Sequence, residues 1–205
     1  MAHHLTSAVR QQLEETRRGF DKLLAEESVM DVVAQVAALC TETILAGGKV
    51  MFAGNGGSAA DAQHLAGEFV SRFNFDRPGI AGLALTTDTS VLTAIGNDYG
   101  YDQVFSRQVH ALGRPGDTLV GITTSGRSPN ILRAFTQARS SGVRTVGMTG
   151  AKGELLREVC DYCIVVPEQP TPRVQELHIA IGHTICALVE EQVFCNSPSR
   201  KVASL

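Results

Sequence analysis

The chain has little of what marks a nucleic-acid-binding or a membrane protein. Its 205 residues carry 18 Lys and Arg against 21 Asp and Glu, for a formal net charge of −3, and they contain no basic block. A nucleic-acid-binding surface is usually basic, so this balance argues against that class. No apolar stretch approaches the roughly 20 residues that a membrane span needs, and the polar N-terminus does not resemble a signal peptide. We therefore expect a cytoplasmic protein that binds neither nucleic acid nor membrane.

Cysteine is also scarce and irregularly spaced. The five cysteines are odd in number, which makes a poor disulfide framework. Cys160 and Cys163 form one CxxC pair, but no second pair follows, and the segment leads into a predicted strand rather than a helix. We expect all five to be reduced and buried as small apolar side chains.

Internal repeats, linkers and low-complexity segments are absent as well, so residues 1–205 are expected to form a single domain with a full core. Residues 1–46 are helical in pattern, with two apolar stripes, and Gly47-Gly48 is a typical helix end. Residues 47–205 then alternate apolar runs with helical patterns. Five strands are predicted, at 49–53, 82–86, 118–123, 144–149 and 162–166. Helices are predicted at 58–73, 101–112, 129–141, 152–159 and 173–194. This order is typical of an α/β fold with a doubly wound, five-stranded parallel sheet flanked by helices, here with an N-terminal helical extension.

A glycine-rich segment, Gly54-Asn55-Gly56-Gly57-Ser58, joins the first predicted strand to the helix after it. Backbone N–H groups and the helix dipole make such a junction an anion site. Its spacing also matches the loose dinucleotide fingerprint. That fold needs an acidic residue about 20 positions further on, whereas Thr86-Thr87-Asp88 comes later and lies in a polar loop. We therefore place dinucleotide binding below sugar-phosphate binding.

A second polar segment, Thr123-Thr124-Ser125-Gly126-Arg127-Ser128, follows the third predicted strand, and a helix begins after it. Hydroxyl and N–H groups at a helix N-terminus suit a phosphate monoester, although such clusters are also common as turns and caps. Two such loops at the carboxyl ends of neighbouring strands favour a ligand site, because open α/β sheets bind ligands there.

Ionisable residues concentrate on two predicted helices. His64 and Glu68 stand at i and i+4 on the first, where they could equally be a surface pair. The last helix carries polar residues within an apolar stretch: Gln175, Glu176, His178 and His183. Imidazole, carboxylate and amide groups together can hold a divalent metal, and nitrogen ligands favour zinc.

These motifs together resemble the phosphoheptose isomerases, which are sugar-isomerase (SIS) domain proteins acting on sedoheptulose 7-phosphate. The resemblance covers nearly the whole chain. It also includes Gly96-Asn97-Asp98, which would otherwise be taken for a turn, and one departure, Thr123 where the family often has Ser. The resemblance implies a flavodoxin-like SIS fold, a cytoplasmic homotetramer with active sites shared between subunits, and one zinc ion per subunit on His64, Glu68, Gln175 and His183. It implies sugar-phosphate contacts from Asn55, Gly56, Gly57, Ser58, Glu68, Asn97, Asp98, Thr123, Thr124, Ser125, Ser128 and Gln175.

Converting a 2-ketose to an aldose moves a proton between C1 and C2 through an enediol, which needs a base near carbon and an acid near oxygen. We assign those roles to Glu68 and His183. The predicted function is heptose biosynthesis for lipopolysaccharide or other surface glycans. The alternative is a non-catalytic SIS-fold adaptor, such as the protein that binds the bacterial replication initiator. Such adaptors lack the carboxylate and the last-helix histidine that this chain keeps.

Overall fold

A five-stranded parallel sheet forms the centre of the protein. The computed structural model describes the backbone of residues 2–195 and the side chains of residues 5–153 and 156–195. The strands are β1 (Val50–Gly54), β2 (Gly82–Ala84), β3 (Thr118–Ile122), β4 (Arg144–Gly150) and β5 (Tyr162–Val166). They lie in the order β2-β1-β3-β4-β5, and every neighbouring pair is parallel. This is the flavodoxin-like order, and it confirms the predicted fold class.

Seven α-helices surround the sheet within residues 2–195. They are α1 (Ala2–Leu24), α2 (Glu27–Leu45), α3 (Gly57–Val70), α4 (Thr89–Tyr99), α5 (Ser106–Leu112), α6 (Pro129–Ser140) and α7 (Thr171–Phe194). A 3-10 turn, Tyr101–Gln103, precedes α5, and a 3-10 helix, Ala151–Glu158, follows β4.

Helices cover both faces of the sheet. Every residue of β1 and β3 is buried, as continuous apolar runs require. Alternate β1 side chains enter different clusters: Phe52 packs with residues of α2, α3 and α7, whereas Met51 packs with residues of α5 and α6. The core is therefore two apolar layers with the sheet between them.

The N-terminal helices are as predicted, and α2 ends in a Schellman motif. Gly47 adopts a φ of 82°. The N–H groups of Gly47 and Gly48 donate to the carbonyls of Ile44 and Thr43. Glycine reaches this left-handed backbone without strain, which explains why the helix ends here.

The prediction that no segment is long and apolar enough to span a membrane was wrong for one helix, α2. By length and composition alone, Glu27–Leu45 is apolar enough to cross a membrane. Its side chains Val33, Val36, Ala37 and Leu39 are buried in the core, against α7 and the sheet. This burial is typical of a core helix, which passes the same test.

Helix α4 was not predicted. Thr86-Thr87-Asp88 forms the predicted polar loop, and its last residue, Asp88, is the N-cap of α4. The Asp88 carboxylate accepts a hydrogen bond of 2.9 Å from the N–H of Val91. Asn97 and Asp98, which the sequence without the resemblance would leave as a turn, lie in the last turn of this helix.

The cysteine expectation was correct for three of the five residues. Cys40, Cys160 and Cys186 are buried, whereas Cys163 is half-buried and Cys195 is exposed. All five thiols are free. Cys195 is exposed because it follows the last turn of α7, beyond the sheet that α7 covers.

Candidate active site

The two predicted loops meet at the carboxyl edge of the sheet. β1 and β3 are neighbours, with Gly54 opposite Ile122, and the chain leaves β1 toward β2 on one side and β3 toward β4 on the other. Because these two connections lead in opposite directions, a crevice opens above the ends of β1 and β3. Doubly wound folds bind ligands in such a crevice. The loops that begin at Asn55 and Thr123 therefore border one crevice.

Glycine is required at one position of the first loop, and a second glycine leaves room for a neighbouring side chain. Gly56 has a φ of 56°, a backbone conformation that side chains disfavour, and it is the N-cap of α3. A side chain on Gly57 would collide with the amide of Gln175 on α7. The loop thus brings the N-terminus of α3 close to the first turns of α7.

A cavity of about 300 Å³ lies between the two loops and the start of α7. It contains most of the predicted sugar-phosphate residues. They are Asn55, Gly56, Gly57, Ser58, Thr123, Thr124, Ser128 and Gln175, joined by Ile122 and Thr171. Backbone N–H groups at a helix N-terminus with nearby hydroxyl groups make this cavity suited to an anion.

Three predicted residues of the second loop have hydrogen-bond partners within that loop. The buried Thr123 hydroxyl lies 2.8 Å from the Ser128 hydroxyl, and this bond closes the loop. The Ser125 hydroxyl accepts a hydrogen bond of 3.3 Å from the N–H of Arg127. Ser125 does not line the cavity, so its predicted contact with substrate stays a prediction.

Sequence reasoning missed a side-chain network that links the loops. The amides of Asn55 and Asn130 form a reciprocal pair: Asn55 donates at 3.0 Å and Asn130 donates at 2.8 Å. Tyr101 donates a third hydrogen bond, of 3.1 Å, to the oxygen of Asn55. Asn130 is only 2% exposed, so the pair forms largely away from water, where leaving one member unpaired is costly.

His64, Glu68 and His183 come together, as predicted. The Nε2 atoms of His64 and His183 are 2.7 Å apart, and His64 Nε2 lies 3.2 Å from Glu68 Oε1. One ligand atom from each of the three residues lies within 4.8 Å of the others. Two imidazole nitrogens and a carboxylate oxygen in this arrangement fit a divalent metal ion.

The other polar residues of α7 do not join this cluster. Gln175 lies against Gly57 in the cavity, two turns before His183. Glu176 pairs with Arg173 at 3.0 Å. His178 is 1% exposed within the core, and burial lowers its pKa to about 4, an effect that the backbone of Thr149 offsets only in part.

A buried ion pair stabilises the end of α3, which carries two residues of the cluster. Arg77 and Glu190 have side-chain exposures of 1% and 0% and lie 2.9 Å apart. Arg77 also donates to the backbone carbonyls of Glu68 and Phe69 at the end of α3. Glu190 accepts from the N–H groups of Phe73 and Asn74 at 2.8 and 2.6 Å. Burial raises the pKa of Glu190, but these hydrogen bonds outweigh it and hold the pKa below its usual value.

This network reaches both predicted catalytic residues. The Phe73 ring lies 5.5 Å from the ring of His183, and Arg77 binds the backbone of Glu68 itself. Arg77 and Glu190 are 113 positions apart, and no local spacing predicts such a pair.

Asp61 is a further acidic group on α3, one turn before His64. Burial raises the pKa of Asp61, while the nearby His64 opposes that rise. Its Oδ2 atom is buried without a hydrogen-bond partner among the described residues. Buried polar atoms of this kind are usually satisfied by water or an ion, so the region around His64 has capacity for one.

Asn97 and Asp98 are not brought into the cavity. Both are exposed at the end of α4, where Asn97 donates to Asp98 at 2.8 Å. Asp88, which comes too late in the chain to serve the dinucleotide alternative, caps α4 through its Oδ1 atom.

Known proteins resemble the chain over most of its length. Residues 13–150 match the SIS domain. The phosphoheptose isomerase of Burkholderia pseudomallei (strain 1710b) is 57% identical over 180 residues, which are 88% of this chain and 91% of that protein. The phosphoheptose isomerase of Aneurinibacillus thermoaerophilus is 58% identical over 176 residues, 86% of this chain and 89% of that protein.

A solved structure agrees with these matches. The phosphoheptose isomerase of Neisseria gonorrhoeae superimposes with a TM-score of 0.84 at 41% identity, over 91% of this chain and 99% of that one. Identity of this order over most of both chains extends the match from the fold to the sequence family. The chain therefore belongs to the phosphoheptose isomerase family of SIS-domain proteins.

Proposed function

We propose that the protein is a ketose–aldose isomerase that converts sedoheptulose 7-phosphate into D-glycero-D-manno-heptose 7-phosphate through an enediol. One observation carries this proposal. The cluster of His64, Glu68 and His183 lies on the same two helices, α3 and α7, whose first turns border the anion cavity. The names of the relatives support the choice of substrate.

The spacing along these helices suits a long sugar phosphate. α3 and α7 run side by side in the same direction, with Gly57 against Gln175 and, further along, His64 against His183. Seven residues of helix separate Gly57 from His64, which is about 10 Å. A sugar whose phosphate and carbonyl stand at opposite ends of a chain of several carbons matches that separation.

Glu68 and His183 carry the proton transfers in this proposal. A carboxylate takes the proton from carbon and returns it to the neighbouring carbon, while an imidazole exchanges a proton with the oxygens of the enediol. Each group has a second atom, Oε2 of Glu68 and Nδ1 of His183, that stays available when the first binds a metal.

We propose that the metal is zinc, held by His64, Glu68 and His183, which lie in one cluster. The resemblance implies Gln175 as a fourth ligand, but the Gln175 side chain of this chain lies against Gly57, outside that cluster. When bound, zinc would supply Lewis-acid polarisation of the carbonyl or hydroxyl oxygens. Gln175 cannot carry a proton near neutrality, because an amide does not titrate there.

The phosphate is proposed to bind in the cavity between the loops. The start of α3, with Gly56, Gly57 and Ser58, would supply N–H groups, and Thr124 and Ser128 would supply hydroxyl groups. Asn55 would bind a sugar hydroxyl from its fixed position.

The protein is further proposed to be a single-domain, cytoplasmic homotetramer in heptose biosynthesis for lipopolysaccharide or surface glycans. Exposed apolar side chains recur along α1 at Leu5, Val9 and Leu13, which would suit burial against another subunit. Asn97 and Asp98, exposed at the end of α4, would then act in a site completed by a second copy.

The adaptor alternative is not favoured. It requires the loss of the carboxylate and of the last-helix histidine, whereas Glu68 and His183 are present and lie in one cluster.

Substitution of the two proposed proton carriers tests the assignment. Glu68→Gln and His183→Gln should each reduce turnover of sedoheptulose 7-phosphate to background, while circular dichroism and the unfolding midpoint stay near those of the parent. Glu191→Gln, an exposed change on the same helix as His183, is the matched control and should keep normal activity. Near-normal turnover in either test variant would overturn the assignment.

A further inference from the structure

Two cysteines lie on one face of the sheet at β5, an edge strand, whereas the candidate active site lies at the ends of β1 and β3. Cys160 precedes β5, and Cys163 is the second residue of that strand. Both pack in the apolar layer that contains Leu156. Both residues also line the same cavity, and each thiol shifts the pKa of the other. The CxxC pair is therefore a pair of neighbouring thiols at one cavity.

The first of the two residues between the cysteines is fixed to the neighbouring strand. Asp161 accepts hydrogen bonds of 2.7 and 2.8 Å from the N–H and hydroxyl of Thr145, and its own N–H donates to the Thr145 hydroxyl at 3.0 Å. Thr145 is fully buried in β4. These bonds hold the turn in place, so the thiols are pre-organised rather than brought together by chance.

Small molecules can reach the dithiol. A cavity of about 340 Å³ lies beside it, lined by both cysteines, Arg157 and residues of α2. The neighbouring Cys163 thiol lowers the pKa of Cys160, against the effect of burial, and the backbone of Gly147 acts in the same direction. The pKa of Cys163 is raised by the same contact. Cys160 is thus the better nucleophile of the pair.

The dithiol is also connected to the phosphate cavity. The Cys160 thiol donates to the carbonyl of Leu156, at 3.1 Å, in the 3-10 helix Ala151–Glu158. The first turn of that helix packs Gly153 against Gly126, so closely that a side chain on Gly126 would strike the Gly153 backbone. Gly126 belongs to the loop that contains Thr124 and Ser128. One short helix therefore joins the thiol to the second anion-binding loop.

We propose that Cys160 and Cys163 form a reversible, redox-sensitive disulfide, and that its closure weakens anion binding at the loop of Thr124 and Ser128. The disulfide has no thiol proton, so closure removes the hydrogen bond to Leu156 and leaves that carbonyl with only the N–H of Val159. The end of the 3-10 helix is then held less firmly. Cytosolic disulfides are mostly transient pairs of this kind.

The chemistry balances with a peroxide as oxidant. The Cys160 thiolate attacks one oxygen of hydrogen peroxide and the O–O bond breaks, giving a sulfenic acid and hydroxide, which takes a proton to become water. Cys163 then attacks the sulfenic sulfur. The S–S bond forms, the S–O bond breaks, and the departing hydroxide takes the Cys163 proton as a second water. Two thiols are oxidised and one peroxide is reduced; a small-molecule dithiol reverses the step by exchange.

The test uses the full-length protein with Cys195→Ser, which removes the exposed thiol. After mild peroxide treatment, the tryptic peptide 158–173 should lose two hydrogen atoms, and dithiothreitol should restore them. The oxidised protein should bind inorganic phosphate about 2- to 30-fold more weakly than the reduced protein, measured by phosphorus NMR titration. Inorganic phosphate is the probe because its binding does not depend on the proposed isomerase activity.

Cys163→Ala in the same background is the matched control, and peroxide should leave its phosphate affinity unchanged. Oxidation of Cys160 alone to a sulfinic acid, without the disulfide, would overturn the proposal. A disulfide that forms with no change in phosphate affinity would overturn it equally.

Discussion

Asn130 is the side chain that most directly tests how the two loops are held together. It forms both hydrogen bonds of the amide pair with Asn55, and it is almost fully buried. We predict that Asn130→Ala raises the KM for sedoheptulose 7-phosphate roughly tenfold, because it removes about 1–2 kcal/mol of loop fixation, with a smaller effect on kcat. Thr136→Ala, an exposed change on the same helix, should leave both constants unchanged. An unchanged KM in Asn130→Ala would show that the pair does not position the loop.

His178 makes stability depend on pH. Its pKa is about 4 in the folded protein and about 6.5 in the unfolded chain. Between these values the unfolded state binds more protons, so the free energy of unfolding falls as the pH is lowered from about 6.5 to about 4, by up to about 3 kcal/mol. Above pH 6.5 this contribution is fully present.

Urea unfolding of the metal-free protein at pH 7 and at pH 4 measures this effect. The parent should lose about 3 kcal/mol more than His178→Leu over that interval. His110→Gln, which changes an exposed histidine, should behave like the parent. Equal losses in the parent and in His178→Leu would contradict the assignment of a neutral, buried imidazole.

Side chains with a local signal could be predicted, and side chains that pair over long distances could not. His64 and Glu68 were found from their i, i+4 spacing, which places both on one face of any helix. His178 stands on the same helix as His183 and has the same chemistry, yet only its packing in three dimensions shows that it is buried. Asn130 carried no local signal in the sequence, because its partner lies 75 positions away.

The end of α3 depends on one buried ion pair. Arg77 binds carbonyl groups at the end of α3, and Glu190 on α7 holds Arg77 and the backbone after α3. We predict that Glu190→Ala lowers the free energy of unfolding by about 3–5 kcal/mol, because it leaves a buried charge unpaired. It should also lower kcat, since the pair fixes the backbone of Glu68.

Urea unfolding and steady-state kinetics check this prediction. The control is Arg17→Ala, which breaks exposed pairs with Glu14 and Asp21 and should leave the free energy of unfolding nearly unchanged. If Glu190→Ala costs no more than the control, the pair does not support α3 in the way proposed.

Strands and long helices were predicted well, and capped or irregular helices were not. The buried strands have continuous apolar runs, and such a run predicts a strand without any knowledge of its neighbours in the fold. Helix α4 was not predicted because the residues around its start, Asp88-Thr89-Ser90, are typical of a loop. Asp88 is a common N-cap residue, and it was the one local sign that a helix begins there. The predicted helix 101–112 is interrupted, because residues 101–103 form a 3-10 turn and α5 begins only at Ser106.

Two parallel helices, α3 and α7, connect the anion cavity to the cluster of His64, Glu68 and His183. The sheet order could be predicted in class from the alternation of strands and helices, and it places the first two loops side by side. The meeting of α3 with α7 could not be predicted from the sequence, because His64 and His183 are 119 positions apart. Only the resemblance to a family supplied that contact in advance.

The most direct test of the central claim is a coupled assay of the purified protein with sedoheptulose 7-phosphate, run with bound metal, after chelation, and after zinc is restored. We predict formation of D-glycero-D-manno-heptose 7-phosphate, its loss on chelation, recovery with zinc, and no product from Glu68→Gln under any condition. No conversion by the parent protein under every metal condition would contradict the account and favour the non-catalytic adaptor.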